Sequence, residues 1–294
     1  MMPLELEADE EIGAGLRRVV EELARESSSL IRRSQSHQAV HETRKSIKKL
    51  RAILRLMRRA LDDDFSSENR SLRDTSRGLA GVRDAQVLVQ TIAKLGELCV
   101  EQGSRAAFRR SRARLMPGAA IRRGSLKKFP ARKIARELAK FLERATKWPF
   151  ESMRSEDLAE SLERLYRKGR TASRVAASHP NMENFHEWRK RVKDFWYSVR
   201  LLKLAWPGMM EALASELKRL SDLLGEDHDL AVLRERLATN SAAARAEDFF
   251  LLRKVIDQRQ GELQRSAIAL GKRLYLESPS AFAQRIGGYW ETDK

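Results

Sequence analysis

An all-α fold built from two similar helical halves is what this sequence predicts, and three observations carry the prediction. Leu, Ala, Arg, Lys and Glu dominate, while the 294 residues include only 15 Gly and 7 Pro, a balance that favours helix. Long runs alternating Val, Ile, Thr or aromatics with polar residues, the mark of half-buried strands, are absent from the sequence. The chain also repeats itself. His41-Glu-Thr-Arg44-Lys45-Ser-Ile-Lys48 falls on His186-Glu-Trp-Arg189-Lys190-Arg-Val-Lys193 at a constant offset of 145 residues. Without a gap the same offset places Arg55 on Arg200, Leu79 on Leu224, Asp84 on Asp229 and Val87-Leu88 on Val232-Leu233. That period is too long for a solenoid repeat and reads as duplication of a whole helical unit.

The elements follow in order. The first half, residues 1–149, is expected to hold helices near 9–33, 37–61, 66–101 and 131–147, with a break near Gly78–Gly81. Asp62-Asp63-Asp64 reads as the turn that ends the second of these. Pro149 stops the "ARELAKFLERATKW" helix and marks the divide. The second half, residues 150–294, is expected to hold helices near 156–177, 181–205, 209–238 (broken near Gly225) and 244–275. Residues 103–130 are irregular, with Gly103, Pro117, Gly118, Gly124 and Pro130. They are also intensely basic, through Arg105, Arg109, Arg110, Arg112, Arg114, Arg122, Arg123, Lys127 and Lys128, and read either as a partly disordered stretch or as a mobile arm on the same polyanion.

Charge narrows the partner. Lys and Arg number 58 against 41 Asp and Glu, a net charge of +17, and Arg predominates, whose planar fork suits phosphate. A polyanion is the natural partner: nucleic acid, a membrane surface or an inorganic phosphate polymer. Cys99 is the only cysteine, so no intramolecular disulfide forms and a reducing, cytoplasmic compartment is expected. The acidic start MMPLELEADEE lacks the layout of a signal peptide. No run approaches the apolar length of a membrane span, so membrane insertion is not expected.

On a helical projection, Arg44, Lys45, Lys48, Arg55 and Arg59 lie within about 60° of His41. Ile47, Leu50, Leu54, Met57 and Leu61 gather opposite. The second copy sorts alike, with His186, Arg189, Lys190, Lys193 and Arg200 on one face and Val192, Phe195, Val199, Leu202 and Trp206 on the other. Repulsion at i,i+3 and i,i+4 costs a few tenths of a kcal/mol per pair, and a merely solvated face would intersperse Glu to relieve it. These faces read as almost free of Glu, and so as two basic ribbons that hold phosphates by charge-assisted hydrogen bonds. His41 and His186 stand among cations, which disfavours a metal and suits donation to a phosphate oxygen.

Tyr166, Arg167, Lys168, Arg170 and Arg174 form a further basic cluster, and Arg25 matches Arg170 at the repeat offset. Arg83 and His228 are likewise equivalent and both are candidates to reach the anion. Glu226-Asp227-His228-Asp229 looks metal-like, but Gly225 before it and the apolar run after it make Asp229 read as a helix cap, like Asp84. No metal or cofactor is expected. A Walker loop, a nucleophile elbow, HExxH and paired cysteines are all absent from the sequence, so no enzyme is expected. The alternative is a basic helical nucleic-acid binder. Against it, aromatics make up only 6%, which leaves few stacking platforms, and no helix-turn-helix, zinc-finger or RNA-recognition pattern appears.

The doubled motif resembles the conserved-histidine α-helical domain (CHAD) family. Its His-x-x-Arg-x-x-x-[Arg/Lys] run appears as His41 to Lys48, followed by Leu79-Ala-Gly-Val-Arg83-Asp84. It appears again as His186 to Lys193, followed by Leu224-Gly225-Glu-Asp-His228-Asp229. The resemblance implies two four-helix bundles related by pseudo-twofold symmetry, with a basic central groove or pore. It also implies binding of inorganic polyphosphate and association with polyphosphate granules. By motif match it implies binding roles for His41, Arg44, Lys48, Arg51 and Arg55, and for His186, Arg189, Lys190, Lys193 and Arg200. The second copy departs with Trp196 in place of Arg51 and Asp194 in place of Lys49, which makes its ribbon less basic. Some relatives carry a triphosphate-cleaving CYTH domain marked by Glu-x-Glu-x-Lys; Glu5-Leu-Glu7-Ala-Asp9 mimics only its start, and hydrolysis is not expected.

Overall fold

A computed structural model describes residues 5–7, 10–99, 105–110, 130–239 and 246–292, and every structured element among them is helical. In chain order these are α1 (Ile12–Arg33), α2 (His37–Leu56), α3 (Arg58–Leu61), α4 (Asp64–Arg77), α5 (Ala80–Leu98), α6 (Ala131–Ala145), α7 (Ser155–Ser178), α8 (Met182–Leu201), α9 (Pro207–Thr239), α10 (Ala246–Leu274) and α11 (Pro279–Thr292). Residues 105–110 add a short helical piece, and the rest of the predicted basic arm lies outside the described residues. No helix among the described residues is long and apolar enough to cross a membrane.

Local chemistry explains most of the boundaries. The Ser36 hydroxyl accepts from the Ala39 amide at 3.1 Å and starts α2, as a cap side chain does for an otherwise orphaned donor. The expected 37–61 helix is divided at Met57, where the chain turns into α3. Asp62 then takes a positive φ of 39°, a conformation that Asp tolerates better than most residues. The break at Gly78–Leu79 between α4 and α5 is present as expected.

The expected break near Gly225 is absent. Helix α9 runs unbroken from Pro207 to Thr239, so Asp229 is a mid-helix residue and caps nothing. A helical Gly costs only about 1 kcal/mol, and here tertiary contacts outweigh it. The buried Asp227 carboxylate accepts from Gln260 at 3.1 Å and Gln264 at 2.8 Å, tying this stretch of α9 to α10. Helix α11 was not expected from the sequence. It opens with a Ser278 hydroxyl accepting from the Ala281 amide at 3.1 Å and with Pro279 at the first helical position, where Pro is favoured.

Two clusters bury the apolar faces. The larger is continuous through α1, α2, α4, α6, α7, α8, the first half of α9, the end of α10 and α11. Within it α1 packs on α2 and α6, and α7 packs on α8 and α11. Tyr166 of α7 stacks on Phe282 of α11 with ring centroids 4.4 Å apart. The smaller cluster joins Ile92, Leu95 and Cys99 at the end of α5 to Leu230, Leu233 and Leu237 of α9 and Leu252, Ile256 and Leu263 of α10. The 105–110 piece lies over it: a Cβ on Gly96 would stand 2.6 Å from the Phe108 ring, and Arg110 Nε donates to the buried Asp248 carboxylate at 2.7 Å. Trp206, expected on the apolar face of α8, lies beyond that helix, is 51% exposed and packs T-shaped with the Tyr289 ring.

Candidate functional site

Helix α2 packs against α1, α4, α5, α7 and α8, and this decides what its cations meet. His41 is exposed near its start and Lys48 is half-buried. Arg44 donates to the Ser76 carbonyl at 3.0 Å, in the last turn of α4, where carbonyls lack intrahelical partners. Lys45 pairs with Glu42 at 3.2 Å. One turn further, Arg51 Nε donates to Asn69 Oδ1 at 2.9 Å. Burial, reinforced by the neighbouring Arg55, holds the Arg51 guanidinium down to about 10, still charged at neutral pH. Arg55 donates to the Arg51 carbonyl at 2.6 Å and forms an ion pair with Asp194 of α8 at 3.1 Å.

Helix α8 holds the second ribbon between α7 and α9. The His186 ring lies 4.5 Å from the His228 ring of α9, centroid to centroid. His186 Nδ1 is buried with no hydrogen-bond partner among the described residues. Burial, then Lys190 and Arg189, pushes the His186 pKa below the ordinary histidine range. Arg189 runs alongside Gly225, whose added Cβ would meet the guanidinium at ordinary contact distance. Arg189 and Lys193 line a cleft of about 480 Å³ between α5, α8 and α9. Gln90, Thr91 and Lys94 of α5 and Asp222, Glu226 and Asp229 of α9 complete its walls. Two of these acids are already engaged, Asp222 by Lys218 at 2.5 Å and Glu226 by Arg259 at 2.8 Å.

The sequence reading needs adjustment in several places. The basic faces are less free of acid than expected: Glu42 pairs with Lys45, and Glu187 pairs with both Lys190 and Arg191. Arg200 lies with its guanidinium 5.2 Å over the Trp196 ring, a cation–π contact that an Arg at position 196 would not offer. The α1 and α7 candidates have their own local partners. Arg25 is mostly exposed and pairs with Glu21 at 3.2 Å, and Arg170 donates to the Tyr275 carbonyl at 3.2 Å just past the end of α10. Arg174 is exposed on α7. Arg83 falls in α5, with its side chain outside the described residues. The Glu226–Asp229 run diverges instead of converging: Glu226 turns to Arg259, Asp227 to Gln260 and Gln264, and His228 to His186.

Sequence patterning missed Lys94 of α5, which lines the cleft from a helix of the first half. It also missed the crowding where α2, α7 and α8 meet. There burial, then Arg191 and Arg58, holds the Lys168 ammonium below the usual lysine range. The offset shows Asp194 in place of Lys49 as a less basic ribbon, but not that Lys168 and Arg191 gather around that acid. Cations on two touching helices, with an oriented imidazole pair beside them, can hold a chain of phosphates by multidentate, charge-assisted donation.

No curated protein matches the chain. A family model described as the CHAD domain matches residues 14–238, from the first turn of α1 to the last turn of α9. The chain therefore belongs to the CHAD domain family.

Proposed function

We propose that the chain binds linear inorganic polyphosphate along two basic ribbons, those of α2 and α8, as a cytoplasmic module of polyphosphate granules that does not hydrolyse its ligand. The observation that carries this is the recurrence of His-x-x-Arg-x-x-x-Lys on two helices that pack against each other. Both copies keep His, Arg and Lys while their apolar residues drift, and a shared phosphate ligand explains that bias. The pairing of helices supports two duplicated halves facing one basic groove. Helices α2 and α6 pack on α1 as α8 and α11 pack on α7, and α5 packs on the part of α9 that is its counterpart at the repeat offset.

Competition separates phosphate polymer from nucleic acid. Long-chain polyphosphate is expected to displace bound DNA or RNA on a gel, while neither displaces polyphosphate. The reverse order would assign the ribbons to nucleic acid. Because the contacts are ionic, affinity is expected to fall steeply with added salt. A colorimetric assay with Mg²⁺ is expected to detect no phosphate release.

The His186 environment gives the binding a pH dependence of definite sign. In the empty protein, burial and the adjacent cations disfavour the imidazolium. A phosphate beside the ring reverses that preference, so binding takes up a proton and affinity rises as pH falls through the histidine range. A one-unit upward shift on binding corresponds to about a tenfold gain in affinity below both pKa values. Calorimetry between pH 5.5 and 8 in buffers of different ionisation enthalpy checks this. An affinity independent of pH, or a dependence that survives His186→Gln unchanged, excludes the role.

A further inference from the structure

At the crossing of α2 and α8 the Asp194 carboxylate stands among four cations. Asp194 Oδ2 lies 3.1 Å from Arg55 Nε, and the other charged groups that act on it are Arg51 of α2, Lys168 of α7 and its own neighbour Arg191. Burial pushes the Asp194 pKa up, and those four cations pull against it. At the repeat offset its counterpart is Lys49, which is buried, with Arg200 and Lys45 lowering its pKa further and Glu42 and Glu26 opposing. One side of the crossing thus carries an acid where the matched position of the other carries a base.

A largely buried carboxylate is costly to desolvate, and this one is held against that cost 3.1 Å from Arg55. Glu187 also pairs with Arg191, yet the four cations still outnumber the two acids, so the crossing retains a surplus of positive charge with Asp194 ionised. We infer that Asp194 is a resident counter-anion: it occupies Arg55 in the empty protein and competes with incoming phosphates, holding polyphosphate affinity below what the two ribbons would otherwise reach. This rests on the polyphosphate reading above. The Arg55 guanidinium is held at a second point by the Arg51 carbonyl. Loss of Asp194 therefore leaves Arg55 in place and releases its Nε donor. The bound polymer then supplies the negative charge that the crossing lacks.

The test compares the wild-type chain with Asp194→Asn and Asp194→Glu, measuring the affinity for polyphosphate of defined length and the melting temperature with and without it. Asp194→Asn is expected to bind about tenfold more tightly, as for removal of one poorly screened unit charge at the edge of a polyanion site. It is also expected to gain more melting temperature from the ligand than wild type. Asp194→Glu is expected to return both quantities toward wild type. Equal or weaker binding by Asp194→Asn, in a setting where wild type binds, makes Asp194 a structural brace and overturns the inference alone. Failure of wild type to bind polyphosphate overturns the polyphosphate reading and this inference with it. Should Asp194→Asn not fold, Arg55→Met is compared with Arg55→Met plus Asp194→Leu. The second substitution must still tighten binding, because Asp194 faces Arg51, Arg191 and Lys168 as well; if it does not, the inference fails.

Discussion

Exchanging Arg44, Lys48, Arg189 and Lys193 for Glu is expected to abolish polyphosphate binding while leaving the helices folded. Hydrogen bonds to a charged group contribute about 1.5–3 kcal/mol each. Losing four therefore removes on the order of 6 kcal/mol, about four decades in affinity, before the repulsion from four new carboxylates is counted. The cost to the fold is smaller. Arg44 gives up its bond to the Ser76 carbonyl, worth about 1.5–3 kcal/mol, and Arg189 and Lys193 border an open cleft that tolerates a shorter side chain. Fluorescence anisotropy with end-labelled polyphosphate reads the binding, and far-UV circular dichroism with a thermal melt reads the fold. Unchanged affinity in a folded variant would remove both ribbons from the site.

The second large effect concerns a helix outside the family match. Phe282→Ala is expected to destabilise the whole protein by about 3–5 kcal/mol, the usual range for truncating a buried aromatic. Phe282 is 1% exposed, stacks on Tyr166 and meets the Phe195 ring at 5.5 Å. Those two rings lie on α7 and α8, so the void opens in the core beneath the second ribbon. Urea denaturation measures the loss. A change below about 1 kcal/mol would mean that α11 is an appendage and that the core closes without it.

What the sequence made legible follows from what periodicity can encode. Ile47, Leu50 and Leu54 recur at helical spacing because α2 buries one face, and all three are fully buried. The opposed cations follow from the same 3.6-residue period. Gly225 misled because a glycine's cost is local, whereas the pull of Gln260 and Gln264 on Asp227 comes from residues more than thirty positions away. Helix α11 escaped because its short apolar set, Phe282, Ala283 and Ile286, is too sparse to stand out without the Ser278-Pro279 start being weighed. Pairings such as Arg51 with Asn69, Arg55 with Asp194 and Arg144 with Glu68 join separate helices. No spacing rule within one helix can specify them.

The placement of α5 has a consequence for synthesis on the ribosome. Its residues Ile92, Leu95 and Cys99 find their apolar neighbours on α9 and α10, among residues 230–263. At translation rates of about 5–20 residues per second, α5 emerges on the order of ten seconds before the surface that covers it exists. Over that interval a greasy helix face next to an intensely basic segment stands uncovered on the nascent chain. A holdase that recognises short apolar stretches flanked by positive charge is the kind of factor the growing polypeptide would meet there. Production of the intact protein should then depend more on such a factor than the stability of the finished fold suggests.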